Sequence, residues 1–147
     1  MTGSRSLHQQ MVDAFMHRAK QDLPSRPVAP LASVLRLRAR LILEEALETI
    51  DALGYRVRDP ELLVRERPGV LDLVEIVDGC CDIMVVTTGT LSACGVSDLP
   101  VQLAVDINNL AKFGGDGRLD EYGKWVKPSD HQPPNLKEVL RALSAAG

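Results

Sequence analysis

The feature that most constrains this chain is a pair of long apolar segments that each carry three carboxylates. The first reads Leu41-Ile42-Leu43-Glu44-Glu45-Ala46-Leu47-Glu48-Thr49-Ile50. The second reads Leu73-Val74-Glu75-Ile76-Val77-Asp78-Gly79-Cys80-Cys81-Asp82-Ile83-Met84-Val85-Val86. Both are apolar around most of a helical circumference, so both are expected to be largely buried helices. Glu44 and Glu48 are four apart and stack on one helix face, with Glu45 about 100° round at its border. Glu75, Asp78 and Asp82 fall at i, i+3 and i+7, which is one stripe. No Lys or Arg stands within four residues of Glu45, Glu48, Glu75, Asp78 or Asp82; Arg40 is placed to pair with Glu44 alone. Like charges at such spacings repel by a few tenths of a kcal/mol when solvated, and burial raises the cost to several kcal/mol per ion. A divalent cation supplies the missing positive charge compactly, and an all-carboxylate set suits hard ions, Mg²⁺ first and Mn²⁺ as a substitute. The plainer alternative is that the acids line a solvated face of two edge helices.

The rest of the chain reads as helical. With 147 residues it is a single domain, 1–147, long enough for an ordinary core. Apolar residues at helical spacing predict a first helix over Ser6–Gln21, broken by the prolines of Asp22–Pro30. A second helix is expected over Leu31–Leu53 with Gly54 as its C-cap, and a third over Val70–Ala93, ending near Gly95. Between them lies a loop containing Pro60 and Pro68, with room for a helical turn at Glu61–Arg65. Gly79 and Gly89 weaken the third helix and mark sites of close helix approach. A fourth helix is expected from Ser97 or Asp98 to Phe113, then a glycine-rich loop, a small hairpin over Leu119–Val126 around Tyr122-Gly123, and a last helix over Leu136–Ala145. Aromatics are only 3%, so the core is aliphatic. Phe15 is read as part of it, and Trp125 as a cover over an apolar patch.

Several function classes drop out. A net charge of −3 gives no electrostatic footprint for nucleic acid or an anionic membrane. No membrane partner is expected, and the polar N-terminus lacks a signal-peptide core, so a cytoplasmic location is expected. Cys80, Cys81 and Cys94 suit neither a disulfide framework nor a zinc site and read as small buried residues. A di-iron bundle needs Glu-x-x-His, but His8, His17 and His131 all lie outside the acidic helices. There is no P-loop, no dinucleotide-binding glycine pattern and no arguable Ser/His/Asp set.

Glu44-Glu45-x-x-Glu48 followed by Glu75-x-x-Asp78 resembles the signature of the MazG-like all-α NTP pyrophosphohydrolases. The stretch from Glu75 through Asp82 to Gly89, then Asn109-x-x-Lys112 and Gly123-Lys124-Trp-Val-Lys127-Pro128, is similar to the phosphoribosyl-ATP pyrophosphohydrolase-like and dimeric dUTPase-like branch. The likeness runs over about Phe15 to Pro134. It implies an all-α bundle of four to five helices that forms a homodimer or homotetramer, with sites near the interface. It implies hydrolysis of a nucleoside triphosphate, dUTP or another deoxynucleotide first, to the monophosphate and pyrophosphate. Glu44, Glu45, Glu48, Glu75 and Asp78 would hold Mg²⁺, with Asp82 as a sixth ligand or a neighbour. The alternatives are phosphoribosyl-ATP as substrate and a non-catalytic helical interaction module.

The residues also suggest roles. A carboxylate pocket binds a triphosphate only through metal ions, which also activate a water and steady the leaving pyrophosphate. Glu45, set round the helix from Glu44 and Glu48, is the candidate to orient or deprotonate that water. Lys112, Lys124 and Lys127 are candidates for direct phosphate contact, the last two on a segment that could close over substrate. Asn109 is a candidate to hydrogen-bond base or sugar.

Overall fold

The computed structural model describes residues 4–59, 62–65, 72–121 and 124–146. Its helices are α1 (Leu7–Arg18), α2 (Ala32–Ala52), α3 (Leu73–Ala93), α4 (Asp98–Leu110) and α5 (Leu136–Ala146). The strands are β1 (Tyr55–Asp59), β2 (Leu62–Arg65), β3 (Arg118–Leu119) and β4 (Trp125–Val126), paired antiparallel as two separate hairpins. The chain is thus all-α, as expected, with two small β elements.

Local chemistry explains the helix ends. The Ser6 hydroxyl accepts from Gln9 N at 3.0 Å and caps α1. The Asp72 carboxylate accepts from Val74 N at 2.8 Å and caps α3. Gly54 (φ 82°) and Gly95 (φ 69°) stop α2 and α3 in the left-handed conformation that glycine adopts without strain. A side chain at Gly95 would also strike the Arg26 carbonyl, because the loop after α1 crosses there.

Two expectations need correction. The loop after α2 is a hairpin, with Tyr55 opposite Arg65 and Val57 opposite Leu63, so Leu62–Arg65 is strand and not a helical turn. The alternation of Tyr55 and Val57 with Arg56 and Arg58 carried that signal. Pro60, Glu61, Pro68, Val70, Tyr122 and Gly123 lie outside the described residues. The fourth helix stops at Leu110, three residues short of Phe113, before the Gly114–Gly117 turns.

The α2–α3 pair dominates the packing, with α1 laid on α3 and α5 on α4. Gly79 faces Thr49 and Gly89 faces Arg38, so the pair is antiparallel. A Cβ on Gly79 would sit 2.5 Å from Thr49 Oγ1 and 3.1 Å from Thr49 Cα. A Cβ on Gly89 would sit 2.9 Å from Arg38 Nη1 and 3.3 Å from Met16 Sδ. Both glycines are the close approaches that the sequence suggests. Around Gly89 lies the core of Val12, Met16 and Ala93, joined by Leu23 and Val34. The buried Gln9 side chain fastens this end: it donates to Ser92 Oγ (3.0 Å) and Val96 O (2.7 Å) and accepts from Asp98 N (2.8 Å). The buried Arg38 donates to Gln21 Oε1. Burial lowers the proton affinity of the Arg38 guanidinium, and the nearby Cys94 acts in the opposite sense.

That core is small for the chain. Phe15 is 65% exposed and continues an open apolar stripe with Leu7 and Met11 on α1, so it is not a core residue. Cys80 and Cys81 are exposed and Cys94 half-buried, contrary to the buried reading, though all three are free thiols as expected. The chain exposes 10808 Å², against about 7,400 Å² for a folded monomer of this mass. By length and composition α3 is also apolar enough to cross a membrane, against the expectation that no apolar run approaches that length. It carries Glu75, Asp78 and Asp82 in one stripe and packs on both α1 and α2.

Candidate active site

At the end of the α2–α3 pair opposite the core, the helices part into a cleft of about 510 Å³. Leu47, Glu48, Asp51 and Ala52 line it from α2, and Glu75, Asp78, Gly79 and Asp82 from α3. Helical periodicity builds it. Glu48 and Asp51 are three apart on α2, while Glu75, Asp78 and Asp82 follow one stripe of α3. Gly79 brings the stripes together, because only a glycine allows α3 to lie on Thr49. The Thr49 hydroxyl turns back to donate to Glu45 O at 2.7 Å, so it closes the contact without leaving a buried polar group unpaired.

The structure therefore gathers Glu48, Glu75, Asp78 and Asp82 as the sequence predicts. Glu44 and Glu45 sit on the same helix beside the cleft and do not line it. Asp51 lines it and was missed. Its signal was present, since Glu44, Glu48 and Asp51 fall at i, i+4 and i+7. Among the described residues, no ion pair joins Arg40 to Glu44.

Among the described residues, no Lys or Arg lines the cleft. The electrostatic consequence shows at Glu45, which is half-buried. Partial burial raises its proton affinity above the ordinary carboxyl value, and the charges of Asp82, Glu48, Glu44 and Asp78 raise it further. Hard, all-oxygen donors of this kind are the chemistry that Mg²⁺ or Mn²⁺ selects. Among the described residues, no three His, Cys, Asp or Glu side chains converge closely enough to enclose an ion. The donor set fits a divalent cation in kind, and side-chain rotation would be needed to close it.

The predicted substrate contacts lie elsewhere. Lys112 Nζ donates to Asn109 Oδ1 at 2.6 Å just past the end of α4. Trp125 Nε1 donates to Lys112 O at 2.8 Å, and its ring tilts against Phe113 with centroids 5.0 Å apart. Trp125 thus covers an apolar residue, as expected. The strap from Lys124 to Gln132 is fastened to this end of the chain by Ser129 N donating to Asp116 Oδ1 (2.8 Å) and Asn108 Nδ2 donating to Gln132 O (2.8 Å). The Ser129 hydrogen bonds hold the Asp116 carboxyl below its usual range. Lys124 and Lys127 are exposed on the strap. None of Asn109, Lys112, Lys124 and Lys127 reaches the acidic cleft of its own chain.

No curated protein matches the chain. The phosphoribosyl-ATP pyrophosphohydrolase family matches over residues 10–106, about two thirds of the chain. The matched span holds all six acids singled out above and ends before Asn109. It favours the phosphoribosyl-ATP alternative over dUTP as the leading substrate. With acids and fold inside the matched span, the chain belongs to the phosphoribosyl-ATP pyrophosphohydrolase family of MazG-like all-α pyrophosphohydrolases, enzymes that release pyrophosphate from nucleotide-type substrates.

Proposed function

We propose that this protein hydrolyses phosphoribosyl-ATP to phosphoribosyl-AMP and pyrophosphate. The observation that carries the reading is the cleft itself, where carboxylates of α2 and α3 line one opening. Glu48, Glu75, Asp78 and Asp82, with Glu44 and Glu45 at the border, hold Mg²⁺, with Mn²⁺ as a substitute. A divalent cation held there would screen the polyphosphate charge and make a water more acidic. Water adds to the α-phosphorus and the α–β oxygen bond breaks. Glu45 takes the proton from that water on a carboxylate oxygen, a role favoured by its raised proton affinity. Asn109, Lys112, Lys124 and Lys127 are the groups proposed to bind the anionic substrate. Deoxynucleotides such as dUTP are the second reading, supported by the acid spacing that both substrate classes would use.

The functional protein is a homodimer or homotetramer. The surface excess of about 3,400 Å² per chain, about 6,800 Å² for a pair, is more than enough to supply the roughly 2,000–5,000 Å² in total that obligate interfaces bury. Pyrophosphate release is to be measured on phosphoribosyl-ATP, dUTP and the other NTPs and dNTPs, with Mg²⁺ or Mn²⁺, beside Glu48→Gln. Turnover of phosphoribosyl-ATP that is lost in Glu48→Gln is the expected result. Turnover confined to dUTP selects the second reading. Silence on every substrate with both metals returns the chain to a non-catalytic interaction module.

A further inference from the structure

We propose that Arg56 and Arg58 of β1 form a second anion subsite at the end of the acidic cleft, which takes the 5′-phosphate of the phosphoribosyl group. The inference rests on the phosphoribosyl-ATP reading and adds where the choice between that substrate and a plain nucleotide is made.

Substrate chemistry sets the requirement. Phosphoribosyl-ATP is ATP with a 5-phosphoribosyl group on N1 of its adenine. It is anionic at both ends, with the triphosphate on one side of the base and a phosphomonoester on the other. ATP and dUTP carry only the first. Carboxylates that hold a divalent cation serve the reacting triphosphate. The same carboxylates repel a distant phosphate that no metal screens. That end of the substrate needs fixed cations outside the cleft, and the arginine fork matches phosphate oxygens.

The β1–β2 hairpin stands where such cations are needed. Asp51 and Ala52 line the cleft at the end of α2. The Gly54 amide donates to Asp51 O at 2.8 Å, and Gly54, buried with φ 82°, turns the chain directly into β1. Arg56 is four residues past Ala52, so their Cα atoms are no more than about 14 Å apart. β1 also packs on α2, which keeps the ribbon at this end of the cleft. Neither arginine lines the cleft itself, so a group they hold lies beyond the acids.

The ribbon presents both arginines to solvent. Arg56 and Arg58 are exposed, while Val57 between them is half-buried. Pairing carries this alternation as far as Val57, which opposes Leu63. Asp59 then opposes Leu62, so Arg58 is the extra residue of a bulge. Bulges re-aim side chains and recur beside active sites. Two arginines whose Cα atoms are about 7 Å apart can grip one phosphomonoester from two sides.

The test compares wild type with Arg56→Gln/Arg58→Gln in steady-state kinetics on phosphoribosyl-ATP and dUTP. For phosphoribosyl-ATP, KM is expected to rise about ten- to a hundredfold while kcat stays within about twofold. Arg56→Lys/Arg58→Lys keeps the charge without the fork and is expected to recover part of the loss. An unchanged KM, or a loss confined to kcat, overturns the proposal. So does an equal rise in KM for dUTP, which would put the arginines on the triphosphate. A second arm needs no turnover: ribose 5-phosphate is titrated into both metal-free, ¹⁵N-labelled proteins and amide shifts are followed. Saturable shifts at Arg56–Arg58 in wild type that vanish in the glutamine variant support the subsite. No shifts there, or equal shifts in both proteins, overturn it. A wild type that does not turn over phosphoribosyl-ATP defeats the functional reading instead, and the ribose 5-phosphate titration then decides the subsite by itself.

Discussion

The two ends of the α2–α3 pair are built from the same helices and do opposite work. At one end Gly89 lets α3 approach Arg38, Met16 and Val12, and the space is filled: apolar atoms meet and Gln9 has its hydrogen bonds satisfied. At the other end Gly79 brings α3 as close to Thr49, but the residues beyond the contact are carboxylates facing a cleft. The packed end stabilises the fold. At the acidic end partial burial, and then the neighbouring carboxylates, raise the proton affinity of Glu45. A small domain retains such a destabilised region when chemistry depends on it.

The contrast can be broken at either end. Asp78→Asn should have the largest effect on function, lowering pyrophosphate release by about a hundredfold or more in steady-state kinetics while the metal-free protein keeps its melting temperature or gains slightly. The converse is Met16→Ala, at a side chain only 2% exposed. Calorimetry or urea unfolding should show a loss of about 2–5 kcal/mol, with kcat unchanged in whatever fraction stays folded.

The glycines sharpen the comparison at smaller scale. Gly79→Ala meets a hydrogen-bonded Thr49 side chain and its backbone, so the helices must separate, at about 1–3 kcal/mol. Gly89→Ala meets chiefly the end of a long Arg38 side chain that can shift, and the helix-propensity gain of about 1 kcal/mol offsets much of the strain. Chemical denaturation of both should rank Gly79→Ala as clearly the more damaging.

The smallest effect on stability belongs to Glu45→Gln. A carboxyl that holds its proton more tightly when folded binds more protons in the folded state above the ordinary value of 4.5. Stability therefore falls as pH rises through that window. Without metal, Glu45→Gln should melt slightly above wild type at pH 7, and the two should converge as pH drops to 4.5 and below. Thermal melts across pH check it; equal melting temperatures at pH 7 would mean that the acids do not repel appreciably.

How much of this was legible in the sequence follows from the range of each signal. Helix existence was, since 3.6-residue periodicity and the Gly54 and Gly95 stops are local. The close approaches at Gly79 and Gly89 were legible for the same reason. The pairing of Tyr55–Asp59 with Leu62–Arg65 was only faintly legible: Tyr55 and Val57 alternate with Arg56 and Arg58, but so short a ribbon also depends on packing against α2 that no local pattern records. Four acids of the cleft were predicted from spacing. Asp51 stands outside the Glu44-Glu45-x-x-Glu48 cluster, although it extends its stripe by one turn. The exposure of Phe15, Cys80 and Cys81 was misread, because apolar character does not tell a core from a surface awaiting a partner. The separation of Lys112 from Asp78 depends on the direction in which α4 leaves α3, which the buried Gln9–Asp98 bond fixes across 89 positions of chain.

The central claim is that the acidic end is built for a divalent cation. The direct measurement is the melting temperature of wild type and of Glu48→Gln/Asp78→Asn as Mn²⁺ or Mg²⁺ is titrated in. At a concentration a hundred times the dissociation constant, binding to the folded state alone adds about 2.7 kcal/mol. For a chain of this size that is roughly 5–10 °C. The account predicts a saturable rise of that order in wild type and none in the double variant. A wild type indifferent to both metals, or an equal rise in the two proteins, would contradict it.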